Sequence, residues 1–311
     1  MMSESRFATR CANAGFLLIL LSGFSVAGVG DGPRATQLAP VGTRTLNVMP
    51  IHQNTSFNVD GSPAEPAARI KADLVAVQLT RVDEVAGRAA GFFALVPGGE
   101  LDGKLLGTSK QSSNSGVADP VLGMVIGVVG SPALSPQAFS SYKPDFTLGF
   151  QSKLTLPLGS YDADETFNLG ANRWAFQVAL PVAWYFGEGL MPGQLTSLEL
   201  TPGVTWYGDN DDLTDAEKLE QRPLYSLEMN FTHDFTRRFW GSVDALYVIG
   251  GATVTDGVRA GNETEKFALG GTLGMYLPRG FGVQLNYGKT LQVDTDGYHD
   301  HLIRIKLTKV F

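Results

Sequence analysis

The stretch Trp174-Ala175-Phe176-Gln177-Val178-Ala179-Leu180-Pro181-Val182-Ala183-Trp184-Tyr185-Phe186 decides the fold of this chain. Trp174, Phe176, Val178, Leu180, Val182, Trp184 and Phe186 fall on one side of a two-residue period. Ala175, Gln177, Ala179, Pro181 and Ala183 fall on the other. One face is apolar throughout and the other small or polar, which is the signature of a strand with two different environments on its two sides. The pattern recurs at Tyr225, Leu227, Met229 and Phe231 against Ser226, Glu228, Asn230 and Thr232, and at Phe281, Val283, Leu285 and Tyr287 against Gly282, Gln284, Asn286 and Gly288. Further copies run through 146–158, 198–206 and 267–277. Each run is about 9 to 13 residues, whereas strands of soluble proteins usually have about 5 to 6. A tilted strand crossing a bilayer needs ~9 to 11. Phe146, Trp174, Trp184, Phe186, Trp206, Tyr225 and Phe235 sit near run ends, where a girdle at the lipid headgroups places aromatic residues.

Working outward, the pattern predicts an all-β chain, an antiparallel up-and-down transmembrane β-barrel of about twelve strands. They lie near 44–55, 70–82, 88–96, 117–129, 144–158, 173–186, 195–207, 223–235, 238–249, 265–277, 280–292 and 298–311. An even number suits a single-chain bacterial barrel, whose connections alternate between long outer loops and short inner turns. Thr236–Arg237 and Pro278–Arg279 read as inner turns; 208–222, 250–264 and 293–297 read as outer loops. The inner connections at 130–143 and 187–194 are longer than the rule, and 56–69 and 97–116 are irregular.

Arg6 and Arg10 precede an apolar run from Gly15 to Phe24 that ends in Ser25, Val26 and Ala27, so residues 1–27 read as a cleaved secretory signal. That run is far short of the ~20 residues a spanning helix needs. Residues 28–43 then form a flexible linker, able at most to dip into a lumen, and 44–311 form the barrel, placed in the outer membrane of a Gram-negative bacterium. The single cysteine, Cys11, lies within the signal, which removes thiol chemistry from the mature chain. A net charge of −7 argues against nucleic acid as a partner. No cofactor and no metal are expected.

Asp162, Asp164, Glu165, Asp209, Asp211, Asp212, Asp215, Glu217, Glu220, Asp294, Asp296 and Asp300 fall in or beside proposed outer loops. They read as a solvated acidic rim, with carboxylates bridged by divalent cations as the alternative. The chain stops at Phe311, with Ile303, Ile305 and Leu307 in register before it; this resembles the C-terminal signal read by the barrel-assembly machinery. Lys309 interrupts the register, and its stem suits snorkelling to the headgroups.

Leu156-Pro157-Leu158-Gly159-Ser160-Tyr161-Asp162, followed by Asn168-Leu169-Gly170-Ala171-Asn172-Arg173-Trp174, resembles the outer-membrane protein family of the meta-pathway of phenol degradation, whose block reads PxGxYD…NLGxNRW. Gly116-Val117-Ala118-Asp119-Pro120 resembles that family's Gly-x-Gly-Asp-Leu segment, with Ala118 and Pro120 departing from it. The resemblance implies the same transporter-like barrel and a role in uptake of aromatic or other hydrophobic molecules. Tyr161, Asp162, Asn172 and Arg173 then read as loop-structuring residues, Arg173 forking onto a carboxylate such as Asp162 or Asp164.

A Lys or Arg facing lipid costs ~2 to 4 kcal/mol at the midplane, so the polar register must look inward. Gln151, Lys153, Gln177, Glu199, Glu228, Asn230, Asp244, Lys266, Gln284, Asn286, Arg304 and Lys306 are therefore lumen-lining candidates. They form either a plug of inward salt bridges and hydrogen bonds or the constriction of a narrow channel.

The histidines are His52, His233, His299 and His301, and no serine stands beside them in a nucleophile motif, so no catalytic residue is assigned and an enzyme is not expected. The function these features point to is passive transport of small hydrophobic or aromatic compounds through the lumen or a lateral opening. The alternative is a closed structural barrel whose acidic loops bind a partner, an ion or surface polysaccharide. Expected partners are outer-membrane lipid, lipopolysaccharide and the barrel-assembly machinery.

Overall fold

A computed structural model describes residues 30–37, 39–57, 68–105, 111–214, 216–260, 262–293 and 299–311. The proposed signal peptide and the loop acids Asp215, Asp294 and Asp296 lie outside the described residues.

The long alternating runs become the twelve strands of one closed antiparallel barrel. These are β1 (Arg44–Phe57), β2 (Ala68–Val85), β3 (Arg88–Leu105), β4 in two pieces (Gln111–Val117 and Val121–Val129), β5 (Phe146–Thr155) and β6 in two pieces (Ala175–Ala179 and Val182–Tyr185). They are followed by β7 (Thr196–Tyr207), β8 (Leu224–Asp234), β9 (Phe239–Gly250), β10 (Thr264–Leu277), β11 (Phe281–Val293) and β12 (His299–Val310). Each strand pairs with its sequence neighbours, and β12 returns to β1 with Thr45 opposite Val310 and Asn47 opposite Thr308. Closure leaves no sheet edge, which a bilayer requires because lipid offers no partner for backbone amides.

The outward register is apolar along its length: Val243, Leu273 and Phe231 are 64%, 66% and 47% exposed. These are the residues that a soluble sandwich would bury, so this surface belongs in hydrocarbon. Aromatic neighbours pair across strands on that face, Phe146 with Trp184 at 5.7 Å between centroids and Phe176 with Trp206 at 6.3 Å.

Two strand interruptions have a covalent cause. Pro181 has no N–H to give to the ladder; β6 breaks there, although Pro181 still accepts from the Gly149 amide at 2.8 Å and Leu180 donates to Pro202 at 3.0 Å. Pro120 similarly sits in the gap between the two pieces of β4. The irregular region 97–116 holds the one sizeable boundary correction: β3 continues to Leu105 instead of stopping near 96, and β4 begins at Gln111 instead of 117. Its glycines and polar residues lack the apolar alternation because this hairpin extension is not uniformly lipid-facing.

At the inner end, β2 and β3 are joined by the two-residue turn Ala86-Gly87, both with positive φ. The two long inner connections carry the helix α1 (Pro136–Ser141), capped by Ser135, and a small apolar cluster of Phe139, Leu190 and Leu195. Their extra length covers the inner mouth. In the outer loops the short strands Leu219–Gln221, Thr253–Thr255 and Val258–Arg259 form a separate three-stranded sheet.

Residues 30–37 and 39–43, part of the stretch expected to be a linker, lie against the inner wall of the barrel. Val41 and Gly42 anchor it at the inner end, donating to Leu134 at 2.9 Å and Val82 at 2.8 Å. From there the chain rises into the lumen, where Gly30 and Asp31 meet residues of β5, β8 and β12.

Candidate functional site in the lumen

The two-residue period of each strand turns one set of side chains inward, and the lumen-lining candidates divide between those that line a cavity and those that are buried. Gln151, Lys153, Gln177, Glu199, Gln284, Arg304 and Lys306 line the main cavity. Glu228, Asn230, Asp244 and Asn286 are buried in the network beside it, while Lys266 is buried towards the outer end of β10 with Asp300, which is itself buried and not part of a solvated rim.

That network closes around the N-terminal segment. Lys153 on β5 holds the Asp31 carboxylate with its Nζ 2.6 Å from both oxygens, and Gln151 adds a bond at 3.2 Å. Glu228 on β8 accepts from the Asp31 amide at 2.9 Å and the Gly32 amide at 2.8 Å, and Asn230 donates to it at 3.2 Å. Glu199 on β7 accepts from the Arg34 amide at 2.9 Å and from Ser197 at 3.0 Å. Arg304 on β12 reaches the Gly30 carbonyl at 3.2 Å and Asn286 at 3.2 Å. Asp244 accepts from Ser242 and Thr272, each at 2.6 Å, and Lys266 stands 3.8 Å from Asp300.

Arg34 makes the densest set of contacts. Its guanidinium pairs with Asp234 at 2.8 Å, donates to Tyr276 at 2.6 Å and Thr232 at 2.9 Å, and stacks 3.9 Å above the Trp240 ring. Asp31, Arg34, Thr232, Asp234, Trp240 and Tyr276 were not among the candidates. The one available signal was charge: Asp31 and Arg34 stand in a stretch that a plain spacer would not need to charge. Two glycines let the segment lie this close. Gly32 has φ 88°, and a Cβ there would sit 2.4 Å from the Arg304 guanidinium; at Gly30, φ 55°, it would sit 2.2 Å from Glu228.

The segment lies among β5, β7, β8 and β12. Alongside it remains a cavity of about 790 Å³, lined chiefly by β1 to β7. Met49, Ile51, Phe93, Leu95 and Val125 make one wall apolar, while Gln151, Lys153 and Glu199 make the facing part polar; Phe139, Leu190 and Pro192 close the floor. The plug and the channel anticipated as rival arrangements therefore share one lumen.

Above the lumen, the loop-structuring candidates meet one another. Asn210 donates to Tyr161 at 3.0 Å and accepts from Asn172 at 3.0 Å, tying the β5–β6 loop to the β7–β8 loop. The Asp162 amide donates to Asn168 at 2.9 Å. Arg173 is buried, stacks 5.0 Å from the Tyr207 ring centroid and hydrogen-bonds Gln221 in place of Asp162 or Asp164. Asp162 instead accepts from the Asp164 amide. Desolvation pulls the Arg173 guanidinium down to about 10. Asp119 accepts from Gly159 at 2.8 Å and Ala171 at 2.7 Å. In the acidic rim Lys218 joins Asp209 at 2.7 Å and Glu220 at 3.0 Å, which raises its ammonium.

At the rim His52 bonds Asp73 at 2.5 Å, and Asn54 links it to His301. Among the described residues no serine hydroxyl bonds a histidine, and no three metal-ligating side chains converge. Phe311 is exposed at the inner end, where Lys309 lies 5.5 Å from its ring and 4.5 Å from that of Phe281.

A closed twelve-stranded barrel, apolar outside and charged within, defines an outer-membrane β-barrel of channel type. The chain belongs to the family described as "Putative MetA-pathway of phenol degradation", whose model matches residues 50–299. Among solved structures it is similar to an outer membrane channel from Pseudomonas putida, with TM-score 0.73 and 22% identity over 88% of this chain and 97% of that one. It is also similar to the transport unit of an autotransporter from Escherichia coli, with TM-score 0.53 and 8% identity over 96% and 97% of the two chains. The β domain of a Bordetella autotransporter gives TM-score 0.50 and 9% identity over 87% and 100%. At these identities the likeness is one of fold. No curated protein sequence matches.

Proposed function

We propose that this barrel is a passive transporter for small hydrophobic or aromatic compounds, admitted between the outer loops and led through the lumen or a lateral opening. The observation that carries the reading is the cavity of about 790 Å³ into which β1, β3 and β4 present Met49, Ile51, Phe93, Leu95 and Val125 inside an otherwise polar lumen. Its size falls in the range of small-molecule sites, ~300 to 1,000 Å³, and a water-filled pore for ions has no use for such apolar side chains. Family membership supports the aromatic class of solute. In the membrane the protein sits among outer-membrane lipids; lipopolysaccharide at the outer rim and the barrel-assembly machinery complete the proposed partners. Catalysis forms no part of this reading.

The test is uptake of a radiolabelled panel of monoaromatic and short aliphatic solutes by cells with or without the chain, repeated for Lys153→Ala and Glu228→Ala. Protein-dependent uptake that changes in these variants is expected. No difference across the panel, with the barrel inserted, would refute the proposal and favour a structural barrel.

A further inference from the structure

Six charged residues line the cavity: Asp31, Arg34, Lys153, Glu199, Arg304 and Lys306. Both carboxylates are already engaged, Asp31 by Lys153 at 2.6 Å and Glu199 by the Arg34 amide and Ser197. Of the four cations, Lys153 holds Asp31, Arg34 holds Asp234, and Arg304 is bound to Asn286 and to the carbonyls of Gly30 and Asp31. Lys306 is left over. Among the described residues its ammonium forms neither a hydrogen bond nor an ion pair; Arg304, a like charge, stands nearby, and the one carboxylate that acts on it, Asp31, is already held by Lys153.

The surroundings of Lys306 define what would complement it. On β11 Gln284 is its direct cross-strand neighbour. Two residues further along β12, Thr308 donates to Asn47 at 2.7 Å, and Asn47 donates to Gln78 at 3.1 Å, a neutral polar ladder that offers no second charge. The same cavity presents Met49 and Ile51 on β1 and Phe93 and Leu95 on β3. A cation beside apolar surface in a narrow lumen has lost part of its hydration and gains from an anion that brings its own apolar body.

We propose that the cavity recognises organic monocarboxylates, an apolar or aromatic body bearing one carboxylate, with the Lys306 ammonium as the counter-charge and the β1–β3 wall receiving the body. One free cation selects one negative charge. The inference rests on the transport reading above and narrows its solute class.

The experiment compares uptake of radiolabelled benzoate with that of benzyl alcohol, the same ring without the charge. Cells carry wild type, Lys306→Gln, Lys306→Arg or no chain, with equal amounts of folded barrel verified by heat-modifiable gel mobility. The ratio of benzoate to benzyl alcohol uptake is expected to fall about tenfold in Lys306→Gln and to recover in Lys306→Arg; a lost charge-assisted hydrogen bond accounts for at least that much. Benzoate uptake unaltered in Lys306→Gln, while benzyl alcohol remains protein-dependent, overturns the carboxylate site and leaves the transport reading standing. Equal loss of both solutes in Lys306→Gln also overturns it, because the lysine would then only hold the pore open. Absence of protein-dependent uptake of either solute by wild type overturns the transport reading and this inference together.

Discussion

Replacing Arg34 with alanine should release the N-terminal segment from the lumen wall. The guanidinium and its partner Asp234 have side chains only 4% and 1% exposed, and they meet at 2.8 Å. Removing one member of a buried pair costs ~3 to 5 kcal/mol because the other charge is left behind. Asp234 keeps the amides of Gly193 at 2.8 Å and Leu195 at 3.2 Å, which places the loss at the lower end. The bonds to Tyr276 and Thr232 and the stacking on Trp240 disappear as well. About 3 kcal/mol shifts the docked-to-released equilibrium by more than a hundredfold. Single-channel conductance in planar bilayers reads the result, with a deletion of residues 30–37 marking the fully released level. Arg34→Ala should approach that level, and Arg34→Lys should fall between, since lysine keeps the charge and loses the fork. A conductance equal to wild type in Arg34→Ala, while the deletion conducts more, would refute the idea that this side chain holds the segment.

Gly32→Ala should loosen the same segment by ~1 to 2 kcal/mol, because φ 88° disfavours a Cβ that would also meet Arg304 at 2.4 Å; the conductance assay applies. Asp119→Ala orphans the buried amide of Ala171 at ~1 to 3 kcal/mol and frees the half-buried amide of Gly159, so the outer loops should be cut faster by protease while the barrel survives. Ala86→Asn should stabilise the inner β2–β3 turn by ~1 kcal/mol, since Ala86 (φ 50°) and Gly87 (φ 76°) occupy a two-residue hairpin that favours Asn-Gly; urea unfolding in vesicles measures it. Val243→Arg places a charge on the lipid face where valine is 64% exposed, and should lower stability in vesicles by ~2 to 4 kcal/mol where Val243→Leu does not.

Much of this molecule was legible in local sequence, for a physical reason. A strand exposes alternate residues to opposite sides, so Trp174 to Phe186 declares two environments without reference to any other part of the chain, and a run of that length declares a bilayer. The inward placement of Lys153, Glu228, Arg304 and Lys306 follows from the same period, as lipid rejects their charge. Strand ends were legible where apolar alternation stopped at a turn, as at Pro278–Gly280, and illegible in 97–116, where the hairpin extension carries glycine and polar residues on both faces.

Pairing was the part left to the tertiary structure. Asp31 and Lys153 lie 122 positions apart and Arg34 and Asp234 lie 200 apart, and only barrel closure brings β5, β8 and β12 around one axis. No periodicity marks residues 30–43, because a segment lying in a lumen is held by individual bonds to the wall and not by a repeating ladder. Which cations are spent on partners, and that Lys306 is not, likewise depends on the complete circle of strands. Sequence determined the barrel, its two faces and the inward charge; the three-dimensional closure decided that a plug and a cavity divide the lumen, and which charge faces the open side.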